Sequence, residues 1–229
     1  MKSALQIPLN TTPAQRERLA ALQKAFARAC NALAPTVRHT RCWNRVALHH
    51  MAYKQLRQQF PDMGSQMICN AIYSVSRVSR LVYQHPKSVF NIARLGNRPL
   101  PLLQFTDLAP VYFDRHTLSI KAGQISMFTL DGRMRFRLDV SGDDERRFRD
   151  ERLREIVLTS VQGRFMLSFY FASDASDIGA AGTDEPRTAL ADLPAEELPE
   201  YVLVLDDDVP APFAAASPPA NASTATPLP

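Results

Sequence analysis

The chain reads as an α+β protein: a wedge-like β-barrel with a helical bundle inserted after its first strand, and then a disordered acidic tail. Three observations predict this. The apolar period is two in residues 2–9, helical from residue 12 to residue 83, and two again between residues 111 and 172. Charge divides the chain: residues 1–172 hold 26 Lys and Arg against 12 Asp and Glu, whereas residues 173–229 hold one Arg against 11 acids. From Ser173 onward Ala, Pro, Asp and Glu dominate and aromatic residues nearly vanish, so too little apolar surface is present to offset chain entropy. The expected organisation is a first barrel strand in 1–10, a recognition-like bundle in 11–90, the remainder of the barrel in 91–172 and the tail in 173–229.

In the first strand Leu5, Ile7 and Leu9 share one face. Thr12-Pro13-Ala14-Gln15 then starts a helix: Thr12 caps, Pro13 sits where a missing N–H is harmless, and Gln15 completes a capping box. Leu19, Leu22, Phe26, Ala29 and Leu33 follow at helical spacing, and Pro35 is expected to close the segment. A second helix is expected from about Arg41 to Phe60, ended by Pro61, and a third from Ser65 to Tyr83 on the seam Ile68, Ile72, Val75, Val78 and Val82.

Strand patterns then occupy Val111–Phe113, Leu118–Lys121 and Ile125–Leu130. Asp131-Gly132 is the expected turn, with positive φ at both residues, and across it Arg133, Arg135 and Arg137 alternate with Met134, Phe136 and Leu138. Three guanidiniums therefore share one strand face, either as a phosphate-facing ribbon or as the solvated side of a half-buried strand. Residues 141–155 are dense in both charges and read as an exposed connection; Ile156–Val161 and Arg164–Ala172 form a second hairpin around Gln162-Gly163. The first strand must return to pair with these later strands. Within the tail, Glu200–Leu205 is a lone strand or a docking peptide.

Composition narrows the function class. The 229 residues are 45% hydrophobic and contain no apolar run long enough for a membrane span, so a cytoplasmic protein without membrane contact is expected. Cys30, Cys42 and Cys69 form no paired CxxC motif, which disfavours both a disulfide framework and a four-cysteine zinc site. His49-His50 lacks the glutamate of a zinc hydrolase motif. No catalytic residue, metal site or cofactor is expected. The arginine-rich body instead points to polyanions, because guanidinium forks match phosphate oxygens. The candidate nucleic-acid contacts are Arg38, Arg41, Arg45, Lys54, Arg57, Arg77, Arg80, Lys87, Arg133, Arg135 and Arg137. Trp43, among the first three, can stack a base or sit in the bundle core; Gln66 and Asn70 read as bridges within the bundle.

Gln55-Leu56-Arg57-Gln58-Gln59-Phe60-Pro61-Asp62-Met63-Gly64-Ser65-Gln66, followed by Ala71-Ile72 and Val75, resembles the FP…SQ segment of TnpB (OrfB), the transposon-encoded RNA-guided nuclease family. Cys30-Asn31-Ala32-Leu33 is similar to that family's Tyr-Asn-x-x-Leu, and the stretch from Phe113 to Val140 to its β-domain. The resemblance implies a wedge and recognition bundle gripping a structured guide RNA and, through it, a DNA target. It covers about 1–172. The RuvC-like acids and paired CxxC zinc module of the family have no counterpart; Ser176-Asp177-Ile178-Gly179 and Asp206-Asp207-Asp208 are superficial echoes. The expectation is thus a truncated, nuclease-deficient TnpB-like binder, a repressor, accessory subunit or transposon remnant, and not an enzyme. Two alternatives stand beside it: an interaction module whose acidic tail masks the basic body, and half of a split nuclease completed by another chain.

Overall fold

In chain order the elements are β1 (Ala4–Pro8), α1 (Pro13–Thr40), α2 (Arg45–Gln59), α3 (Ser65–Tyr83), α4 (Ile92–Leu95), β2 (Leu102–Phe105), β3 (Val111–Phe113), β4 (Leu118–Lys121), β5 (Gln124–Thr129), β6 (Gly132–Arg137), α5 (Gly142–Asp150), β7 (Leu153–Val161), β8 (Arg164–Phe171) and β9 (Val202–Leu205). They come from a computed structural model that describes residues 4–114, 116–121, 123–137, 141–171 and 198–205.

The class is mixed α and β, with the three long helices inserted between β1 and the remaining strands. β1 does return, pairing antiparallel with β8 through Ile7 opposite Leu167. The expected barrel does not close among the described residues. Instead the strands form three antiparallel sheets, ordered β1-β8-β7-β3, β4-β5-β6 and β2-β9. The helices remove the need for closure. Asn70 of α3 donates to the Tyr112 carbonyl of β3 at 2.9 Å, and the β4-β5-β6 meander is tied to α1 by Arg18, whose guanidinium reaches Asp131 at 2.6 Å. With helices packed against both sheets, the apolar faces are covered without a continuous hydrogen-bonded wall. A single hydrophobic cluster joins Ile7 of β1, the bundle, both larger sheets and Val202 of β9.

α1 begins as expected. Thr12 Oγ1 accepts from the Gln15 N–H at 3.2 Å while Gln15 Oε1 accepts from the Thr12 N–H at 2.9 Å. It does not end at Pro35 but continues to Thr40. Proline inside a helix costs about 3 kcal/mol; full burial of Val37 and the left-handed cap at Arg41 (φ 52) offset it. α2 accordingly starts at Arg45, four residues later than expected, capped by the Asn44 side chain. Residues 142–150, expected as a connection, form α5: Ser141 and Asp144 make a capping box, and Phe148 packs edge-on against Phe169 and Phe171.

One hairpin turn departs from expectation and the other, around Gln162-Gly163, stands where it was expected. Between β5 and β6, Thr129 pairs with Gly132, so the loop residues are Leu130 and Asp131, and positive φ falls on Gly132 alone of the expected pair. The two-residue loop with both positions at positive φ is Gln162 (49°) and Gly163 (76°), between β7 and β8. β9, expected as a lone strand or docking peptide, pairs antiparallel with β2, Val202 opposite Phe105 and Leu205 opposite Leu102. The rest of the expected disordered tail lies outside the described residues. Among the described residues no helix is long and apolar enough to cross a membrane, and no group of three or more His, Cys, Asp or Glu is placed to hold a metal ion.

Candidate nucleic-acid interface

The eleven candidate cations separate into those the fold consumes and those it presents. Arg77 is consumed. Its Nη1 lies 3.1 and 3.0 Å from the two Glu155 carboxylate oxygens, and its guanidinium stands over the Tyr112 ring at 5.6 Å. Tyr73 donates to the same carboxylate at 2.9 Å; burial, then the Glu155 charge, pushes its phenol up to about 12. This part-buried cluster joins α3 to β7 and engages Arg77 within the fold. Arg41 donates to the carbonyls of Gly96 (2.9 Å) and Arg98 (2.5 Å), pinning the α4 region, and Arg57 donates to the Met63 carbonyl, closing the turn before α3. Both were expected on phosphate; in this structure both donate to backbone carbonyls of the chain itself.

Arg45 stands over Tyr73 at 5.4 Å. Arg38 and Arg80 are half-buried at the last turns of α1 and α3, and burial lowers the Arg80 pKa. Lys54 and Lys87 are exposed on separate elements. These five do not converge with the β6 arginines on one sheet face. Trp43 takes its structural alternative, donating to Gln84 Oε1 at 3.2 Å with its ring 5.7 Å from Tyr83. Asn31, in the segment similar to Tyr-Asn-x-x-Leu, brackets Phe105 of β2, donating to its carbonyl and accepting from its N–H.

The arginines that remain together are those of β6. Met134 and Phe136 are buried while Arg133, Arg135 and Arg137 are exposed, so the expected alternation holds. Pairing adds residues that the alternation alone did not reveal. Arg137 stands beside Gln124 and, one strand further, Lys121; Arg135 beside Ser126 and Ser119; Arg133 beside Phe128. The Arg133 Cζ lies 4.1 Å from the centre of the Phe128 ring, which is 40% exposed. Arg133 also donates to the Ser126 and His116 carbonyls, which holds it in place. The outer face of the meander thus carries Lys121, Arg133, Arg135, Arg137 and an aromatic ring, and among its described residues no carboxylate. The nearest turn acid, Asp131, is engaged: hydrogen bonds from Arg18, then Thr129, hold its carboxyl below the ordinary range.

Lys121 and Phe128 were missed because they lie on β4 and β5, and only the pairing of those strands with each other and with β6 sets them beside its arginines. A loop at Asp131-Gly132 would set Phe128 opposite Arg135; the observed loop sets it opposite Arg133. A shift of two preserves faces and changes partners, so the face of Phe128 was legible but its stacking partner, Arg133, was not.

Beside this face lies a cavity of about 270 Å³, lined among others by Leu22, Met63, Gln66, His116, Phe128 and Leu130. It lies where residues 63–67 meet the end of the β5–β6 hairpin, through Phe128, Thr129 and Leu130. No protein-family model matches the chain, and comparison with curated proteins finds no match.

Proposed function

We propose that the protein binds nucleic acid across the outer face of β4-β5-β6, with a guide-type structured RNA as its ligand and DNA engaged through that RNA, in keeping with the TnpB resemblance. One observation carries the reading: four cations and an exposed aromatic share a sheet face whose described residues include no acid. Alternate residues of a strand recur every 7 Å or so, of the same order as successive phosphates along a polynucleotide. Arg133, Arg135 and Arg137 therefore offer guanidiniums at a repeat that a single backbone can follow. The null alternative, a merely solvated strand face, predicts no salt-dependent affinity.

The test is anisotropy titration of the full chain with labelled structured RNA at several salt concentrations. Neutralising Arg135 and Arg137 together (Arg135→Gln, Arg137→Gln) weakens binding of every sequence and flattens the dependence of log K on log salt by about one and a half units. An unchanged slope rejects the ribbon as the interface. A second reading, in which the acidic segment competes for this face, gains support from β9, which anchors the chain after residue 197 to the body.

A further inference from the structure

Resting on that reading, we propose that the cavity beside Phe128 receives one unpaired base of the bound strand, so that the protein prefers single-stranded or looped polynucleotide to continuous duplex. The cavity holds about 270 Å³, and its walls combine apolar side chains (Leu22, Met63, Leu130) with polar ones (Gln66, His116). That mixture suits an aromatic heterocycle with hydrogen-bonding edges. Phe128 is common to both features: it is among the residues that line the cavity, and its side chain stands on the basic face with Arg133 stacked against it at 4.1 Å. A backbone held by Arg133 and Arg135 would run past Phe128, whose ring offers an attached base a π-surface to stack on. Charge complementarity selects the occupant, because no described residue of that outer face bears a carboxylate. A base within a continuous helix is already stacked on both sides and would have to be extruded, at a cost in unstacking.

Two substitutions probe the cavity without changing a charge. Phe128→Ala removes the stacking ring. Gly64→Leu fills space: Gly64 lines the cavity, has φ of −59°, and a Cβ built there meets no atom within 4 Å. No side chain caps α3 at that position, so no hydrogen bond is lost. The probe is a short mixed-sequence RNA carrying one 2-aminopurine, used as a single strand and as a fully paired duplex, with DNA strands of the same sequence as a second arm. The wild-type chain is expected to bind the single strand about tenfold more tightly than the duplex, with a change in 2-aminopurine emission. Both variants are expected to lose about fivefold or more on the single strand; Gly64→Leu, which lies off the basic face, is expected to lose little on the duplex and to keep the salt slope. Equal affinity for strand and duplex, or cavity variants that bind like wild type while Arg135→Gln, Arg137→Gln still weakens both probes, overturns the base pocket and leaves the ribbon standing. Absence of any salt-dependent binding overturns both. RNA and DNA strands that behave alike make the pocket a reader of bases; a preference for RNA adds a contact to the 2′-hydroxyl.

Discussion

At the scale of single residues, the same side chain type stands in two opposite settings, which burial and the presence of an acid distinguish. Arg77 and Arg135 are both arginines of a basic body, yet Arg77 lies about three-quarters buried against Glu155 and Arg135 projects from a strand edge with no acid beside it among the described residues. Removing one partner of a largely buried ion pair strands the other, which costs more than the pair's net worth. Glu155→Gln leaves Arg77 without its countercharge and Tyr73 without a charged acceptor. Since both charged side chains retain some solvent, 24% and 21%, the expected loss sits between surface and fully buried values, about 2 kcal/mol. Urea unfolding measures it, and RNA affinity of the folded fraction should not move. If Glu155→Gln instead weakened RNA binding at unchanged stability, the assignment of Arg77 as structural would fail.

At the scale of elements, local chemistry and pairing make separate demands. The β7–β8 hairpin needs positive φ at both Gln162 and Gly163, which glycine supplies freely and glutamine does not. Gly163→Ala is expected to destabilise by about 1 kcal/mol, while Gln162→Gly or Gln162→Asn should be neutral or stabilising by a few tenths. Thermal melts of the three variants decide it; a stabilising Gly163→Ala would contradict the turn geometry. The contrast with Asp131-Gly132 shows what was legible in the chain and what was not. The α1 capping box, the α3 seam and the β6 alternation were readable because each depends on residues within a turn or two of one another. Passage of α1 through Pro35 was not, because it depends on Val37 being buried by other parts of the fold. Nor was α5, whose charge density hid the one apolar contact, Phe148 on Phe169 and Phe171, that docks it. The hairpin loop was misplaced for the same reason. Thr129 Oγ1 binds both Asp131 Oδ1 and the Gly132 carbonyl, and Arg18 from α1 grips the same carboxylate, so tertiary contacts fix a loop that a dipeptide rule would place one residue later. Of the candidate site, the β6 arginines were visible from alternation; Lys121 and Phe128 required the register.

At the scale of the whole molecule, the acidic C-terminal sequence and the basic body meet through β9. The strand covers the β2 edge, buries Val202 and places Tyr201 partly buried against the core; burial pushes its phenol up. A strand with a single partner is the least costly part of a sheet to release. Truncation after Phe171 removes 11 acids and one Arg together with β9. Loss of buried Val202 alone is worth about 1.5–3 kcal/mol, so stability must fall. If the acidic segment competes for the basic face, affinity for RNA must rise at the same time, several-fold at low salt and vanishing at high salt, where the attraction is screened. Val202→Asp separates the two effects, because it releases β9 while retaining the acidic sequence on the chain. Competition through free electrostatics predicts little change in affinity for Val202→Asp and a large rise for the truncation; competition that needs the docked strand predicts a rise in both. A truncated chain with the affinity and salt slope of wild type would leave β9 as a purely structural brace on β2, and the charge asymmetry without a part in binding.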